Sequence, residues 1–186
     1  MARIPYPDLD ALPEEVGSFA RRIRPMLNVY RMLPHAETSL YGFMKLGNAL
    51  LFKSDLDPVL RELVILRVGY LSDADYEVHQ HLVVARHVGV SEGKIAGAKE
   101  GPDAPVFTDL ERAVLQFTDE VVRDVKASDA AYEAVAARLS HRELAELLLT
   151  IGFYMMVCRF LENLEVEIEA PGAVDQAMNL PPRRES

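Results

Sequence analysis

The chain has 186 residues, 49% of them hydrophobic, and a formal net charge of −9, which is enough apolar material for the core of one compact domain and leaves no expectation of a second. That acidic balance argues against nucleic acid, whose recognition needs a positive surface to displace counterions from phosphates, and it disfavours anionic membranes. The longest apolar run, Leu147 to Cys158, is too short to span a bilayer, Met1 to Pro7 holds no apolar signal core, and the single cysteine precludes an intramolecular disulfide, so a cytoplasmic protein with no membrane association is expected.

Punctuation along the chain is helical: polar caps followed three positions later by an acid, with Pro and Gly at the joints. Helices are predicted over 13–24, 36–52, 58–71, 74–88, 91–98, 109–125, 129–138 and 141–169, with no strand. Asp57-Pro58 is a helix start with proline at the first helical position. Thr108-Asp109-Leu110-Glu111 and Ser140-His141-Arg142-Glu143 are capping boxes, in which each end of the motif satisfies a backbone N–H of the new helix. Residues 99–107 form a loop by their Gly and Pro content. The halves on either side share a faint repeat, Arg61-Glu62-Leu63 and Arg142-Glu143-Leu144. The organisation read from this is an N-terminal extension over 1–35, a helical domain over 36–170 and a C-terminal tail over 171–186. Both ends are Pro-punctuated and suited to wrapping a neighbouring subunit.

Chemistry concentrates on the third and fourth of these helices. Residues four and seven apart share a helix face, so Glu77, His81, Val84, Ala85 and Val88 form one stripe, from which His79 and His87 fall away. Glu77 stands four residues before His81, where its carboxylate can hold the imidazole and raise its basicity; an ordinary helical ion pair or a satisfied core histidine are the bland alternatives. Glu62 lies in line with Ile65, Leu66 and Gly69, which reads either as a buried relay carboxylate or as a structural acid paired with Arg61 or Arg67. Glu62, Glu77, His81, Glu143 and Glu146 are the ingredients of a carboxylate di-iron bundle, but Glu77-Val78-His79-Gln80 puts glutamine where that site needs histidine, so no metal is expected. Cys158 shares a face with Ile151, Tyr154, Met155 and Leu161, the signature of a small core hydrophobe. Tyr41, Met44, Asn48 and Phe52 are candidates for one wall of a pocket, although core packing is the weightier reading for most of them.

The Arg-Glu-Leu helix at Arg61, the Tyr76-Glu77-x-x-x-His81 helix, the sequel Ala85-Arg86-His87-Val88-Gly89-Val90-Ser91 and the closing segments Ser140 to Leu147, Ile151 to Tyr154 and Arg159 to Leu161 together resemble the carboxymuconolactone decarboxylase family. That superfamily also contains the alkylhydroperoxidase D-like proteins. The resemblance implies an all-α alkylhydroperoxidase D-like bundle and a homo-oligomer, a trimer or paired trimers. The thiol peroxidases of the superfamily carry a Cys-x-x-Cys pair that falls here on Ala74 and Glu77. Without those thiols peroxide reduction is not expected.

Decarboxylating relatives lack the cysteines, use neither metal nor organic cofactor, and are similar to this chain in carrying glutamate and histidine at Glu77 and His81. Losing carbon dioxide beside an unsaturated lactone leaves a dienolate, which needs charge stabilisation and an acid to reprotonate carbon. For such chemistry His81 is the candidate acid, Glu77 its orienter, Glu62 or Tyr76 a group to hold or relay a proton, and Arg67 or Arg159 a receiver for the substrate carboxylate. Tyr76 stands where those decarboxylases tend to have histidine, which leaves open which small lactone or carbonyl acid is the substrate. The alternative is a non-catalytic member of the family that binds a small ligand or serves a structural role.

Overall fold

The computed structural model describes residues 1–24, 26–170, 172 and 174. Among them every regular element is helical: α1 (Glu14–Ala20), α2 (Asn28–Met32), a 3-10 turn (Leu33–His35), α3 (Glu37–Phe52), α4 (Pro58–Leu71), α5 (Asp75–His87), α6 (Glu92–Glu100), α7 (Asp109–Asp124), α8 (Asp129–Ala136) and α9 (His141–Leu164). This is the all-α bundle that the punctuation predicts.

The bundle is built around α4, which touches α5, α6, α7 and α9 and is buried without a break from Leu60 to Gly69. A helix buried on every side has no solvent face to present and is the axis on which the others pack, its charged Arg61, Glu62 and Arg67 each held by a partner. Its start is fixed locally: the Asp57 carboxylate accepts the N–H groups of Val59 and Leu60, and Pro58 lacks only a donor that the first turn cannot use. Both expected capping boxes are formed, Thr108 with Glu111 and Ser140 with Glu143.

The hairpin between α4 and α5 sets the site. Asp73 takes a left-handed turn at φ 49°, and the Ala74 N–H bonds back to the Gly69 carbonyl at 3.0 Å. The helices cross so closely at Gly69 that a Cβ there meets Val78 Cγ2 at 2.9 Å. That approach lets side chains of α4 reach those of α5 directly. Long apolar α9 closes the other side. By length and composition it could cross a membrane, but half of its most apolar stretch is buried against α3, α4, α5, α7 and α8, as in a core helix.

The ends depart from the periodicity. The first helix stops at Ala20 instead of 24, and residues 28–35 form α2 and the 3-10 turn where no element is predicted. The last helix stops at Leu164, five residues before its predicted end. Glu165 turns left-handed there at φ 51°, and the Val166 N–H caps the Leu161 carbonyl while its side chain is buried. Residues 166–170 then run back across the N-terminal segment as an extended strap. Arg3 N–H bonds to the Leu164 carbonyl and Tyr6 donates to Glu167, so the first residues pack on their own chain. The predicted tail lies outside the described residues, apart from Gly172 and Val174.

Candidate active site

Helix α5 presents two parallel pairs, each one helical turn apart: Tyr76 with Gln80, and Glu77 with His81. All four side chains are buried, and all four line a cavity of about 680 Å3. Tyr30, Phe43 and Phe153 give the cavity an aromatic wall, and Arg22, Arg24 and His87 also line it.

His81 is held at both ring nitrogens. Nδ1 lies 2.7 Å from Glu62 Oε2, and Nε2 lies 3.1 Å from Glu77 Oε1. Glu62 has no exposed surface, and its other oxygen accepts from Arg61 Nε at 3.2 Å. The Tyr154 ring meets the imidazole edge-on at 5.0 Å. Glu62 does not line the cavity, so the contacts run Arg61, Glu62, His81, Glu77, with the last two at the cavity wall. Burial alone pushes an imidazole toward its neutral form, but the Glu62 charge and the hydrogen bonds to both carboxylates outweigh it and raise the His81 pKa to about 10. Both ring nitrogens thus face carboxylate oxygens, an arrangement that favours the protonated imidazole. Neither nitrogen keeps a free lone pair, and among the described residues no group of three or more His, Cys, Asp or Glu is arranged to hold a metal ion.

The structure thus brings Glu62, Glu77 and His81 together and leaves the other candidates apart. Glu62 pairs with both His81 and Arg61, and not with Arg67. Tyr76 lines the same cavity but faces a different partner: its hydroxyl accepts the Val29 N–H at 3.1 Å and donates to Glu169 Oε1 at 2.6 Å. Burial first, and that bond second, push its phenol well above the ordinary range.

Arg67 is not at the cavity. Its guanidinium is buried and fully engaged, with Nη2 at 2.7 Å from Asp119 Oδ2, Nε on the same carboxylate, and Nη1 on the carbonyls of Ala98 and Lys99. Four of its five N–H donors are taken by acceptors at fixed positions, which ties it to α7 and to the end of α6 and away from the cavity. Arg159 lies on the exposed face of α9 and donates to the Met155 carbonyl at 2.8 Å, away from the cavity lining.

Met44, Asn48 and Phe52 line the cavity wall, where core packing is the weightier expectation for most of this face. Tyr41 instead packs edge-on against Phe19 at 5.4 Å. His87 lies on the cavity although it leaves the Glu77 stripe. Ala74 and Glu77 stand where thiols would, and Cys158 is buried with its thiol pushed up to about 12, chiefly by burial and then by the Glu77 charge. Sequence reasoning did not find Arg22, Arg24, Tyr30, Gln80 or Glu169. Gln80 was within reach, four residues after Tyr76; Tyr30 comes from a segment where no element is predicted, and Arg22, Arg24 and Glu169 from predicted helix ends that the helices stop short of.

Residues 38–120 match the model of the carboxymuconolactone decarboxylase family. The Escherichia coli (strain K12) protein YnjA, named as uncharacterized, is 30% identical over 122 residues, and the match takes in 64% of this chain and 65% of that protein, just under two thirds of its length. An uncharacterized peroxidase-related protein from Ralstonia eutropha JMP134, with an alkylhydroperoxidase AhpD core, has the same fold at a TM-score of 0.79 and 18% identity, over 94% of this chain and 95% of that one. The debrominase Bmp8, in complex with 2,3,4-tribromopyrrole, aligns at a TM-score of 0.68 and 16% identity, over 82% of this chain and 80% of its own. At such identities these structures speak to the fold alone: residues 38–120 match the carboxymuconolactone decarboxylase family, and the all-helical bundle around them has the alkylhydroperoxidase D-like fold.

Proposed function

We propose that the cavity carries out cofactor-free proton transfer, of the decarboxylating kind, on a small lactone or carbonyl acid. One observation carries this reading: an imidazole ring wedged between two carboxylates at the wall of a cavity, with one carboxylate behind it and the other in front. Such an array moves a proton without creating net charge in a buried place, because each transfer converts one ion pair into a neutral pair.

In the proposed step the substrate's carbon–carboxylate bond breaks and carbon dioxide leaves. The electron pair enters the conjugated carbonyl as a dienolate, which then takes a proton at carbon. His81 is the source of that proton, Glu77 passes it across the cavity boundary, and Glu62 keeps the imidazole's far nitrogen protonated and its ring oriented. Solvent restores the proton afterwards. The aromatic wall suits a planar ring, and Arg22 and Arg24 supply the positive field that draws an anion to a chain otherwise acidic.

The test is carbon dioxide release from a panel of carboxylated lactones and β-keto acids. Glu77→Gln and His81→Gln are expected to lower turnover by about 10²–10⁴-fold with the helical signal unchanged. A panel without turnover, but with saturable binding of one of its members, establishes the alternative of a non-catalytic ligand-binding relative. That alternative is favoured by one feature: every polar atom of His81 already has a partner within the chain.

The same reading extends to assembly as a homo-oligomer. Tyr41, Leu46 and Phe52 on α3 and Leu148, Leu149 and Met156 on α9 leave large apolar side chains exposed on two neighbouring helices. A second copy covering this face gives a mass by light scattering that is a multiple of 20.8 kDa, and Leu149→Glu is expected to return it to the monomer value.

A further inference from the structure

Beside the Glu77–His81 pair, three donors converge on one carboxylate of the chain itself. The Tyr76 hydroxyl donates to Glu169 Oε1 at 2.6 Å, the Asn28 backbone N–H reaches the same oxygen, and Gln80 Nε2 reaches Oε2. Gln80 is nine-tenths buried and lines the cavity, and its Oε1 has no hydrogen-bond partner among the described residues. The Tyr30 phenol is pushed up to about 12 by burial, then by Glu77 and by Glu169, so both carboxylates bear on one ring.

Glu169 itself sits on the extended strap after α9, and that strap has a second anchor two residues earlier. Glu167 accepts the Ala2 N–H and the Tyr6 hydroxyl through its side chain, and its carbonyl accepts Asn28 Nδ2. Ile168 between them is exposed. Glu169 can therefore leave its cradle while Glu167 keeps the strap in place.

We infer that Tyr76, Gln80 and the Asn28 N–H form a carboxylate subsite for a small organic acid, and that Glu169 fills this subsite until the acid displaces it. As a substrate subsite it rests on the proton-transfer reading above. The adjacent pairs on α5 then divide the work: Tyr76 and Gln80 grip the retained carboxylate, and the next position along each pair, Glu77 and His81, meets the reacting carbon. Exchange of one carboxylate for another leaves the charge of the cavity unchanged, which removes the main cost of burying an anion near Glu62 and Glu77. The unpartnered Gln80 Oε1 adds an acceptor for a hydroxyl group on the acid. An acid with a second polar function beside its carboxylate is the ligand class that this cradle selects.

Benzoate and its uncharged counterpart benzamide test this without any turnover, by calorimetric titration of the full chain and of Glu169→Gln and Glu169→Ala, each checked for an unchanged thermal melt. If Glu169→Ala loosens the strap, Glu169→Gln carries the test, since it keeps the shape and removes the competing charge. Benzoate is expected to bind the variants at least tenfold more tightly than the wild type, benzamide equally, and the gain is expected to vanish when Gln80→Leu is added. Equal benzoate affinity in the wild type and both variants overturns the subsite, and so does a gain that survives Gln80→Leu, which marks a diffuse charge effect. The two readings fail separately. A benzoate gain with no acid turned over removes the proton-transfer function and leaves the cradle; turnover abolished by His81→Gln without a benzoate gain removes the cradle and leaves the relay.

Discussion

Replacing Glu77 by glutamine removes one charge and almost no volume beside His81 Nε2, at a present separation of 3.1 Å. With charge centres about 4 Å apart and the effective dielectric typical of protein sites, the lost attraction is about 4 kcal/mol, equivalent to about three pH units. His81, raised to about 10 in the parent protein, is therefore expected to titrate near about 7 in Glu77→Gln, with Glu62 alone holding up its charge.

The consequence for stability has a definite sign. A histidine raised on folding contributes its full stabilisation below its unfolded value of about 6.5 and loses it as pH climbs toward 10, so the wild type should weaken by up to about 1.4 kcal/mol per pH unit across that window. In Glu77→Gln the window closes by about pH 7, and stability should be flat above it. Imidazole nitrogen chemical shifts followed against pH give the first quantity, and urea unfolding at pH 7, 8 and 9 gives the second. A wild-type His81 titrating near 6.5, with unfolding free energies that do not fall over the same range, refutes the doubly paired imidazolium and with it the proton source proposed here.

Arg67→Ala should cost about 3–5 kcal/mol in urea unfolding, because it strands Asp119 in the interior with only Arg123 beside it; a mild loss of stability with a raised KM would instead make Arg67 a substrate ligand. Gly69→Ala pushes a methyl into Val78 at 2.9 Å, and a destabilisation of about 1–3 kcal/mol is expected from such overpacking. A neutral or stabilising result would mean that α4 and α5 separate more easily than their packing implies. Cys158 has no exposed surface and a thiol raised to about 12, so Ellman's reagent should label it only after denaturation. Rapid labelling of the folded protein, or a peroxide reduction lost in Cys158→Ala, would reopen thiol chemistry.

What the sequence discloses of this site follows the range of the forces involved. The Glu77–His81 pair was legible because both residues lie on one helix, where the spacing alone brings a carboxylate to an imidazole. Glu62 was legible as buried, since it falls in line with apolar positions of α4, and it is indeed without exposed surface. Its partnership with His81 was open, because nothing in either helix records how closely the two cross; Gly69 decides that, through a contact with Val78 that only the assembled hairpin displays.

Arg67 shows the opposite case. Periodicity placed it on a helix rich in chemistry, and an arginine there reads naturally as an anion ligand. Its carboxylate, Asp119, lies 52 residues away on α7 and turns it into a structural tie between helices. Glu169 was hidden for a further reason: the helical pattern continues to it while the chain does not, since burial of Val166 and the left-handed turn at Glu165 end α9 early and send the strap back over α2. The residue that local pattern places at the end of a helix is thereby delivered to Tyr76 and Gln80, one position along α5 from the proton relay. If the cradle is a substrate subsite, the selectivity of this chain is written in the strap and the N-terminal segment, whose course the helical pattern does not give, while its chemistry is written on α4 and α5, whose spacing gives the Glu77–His81 pair directly.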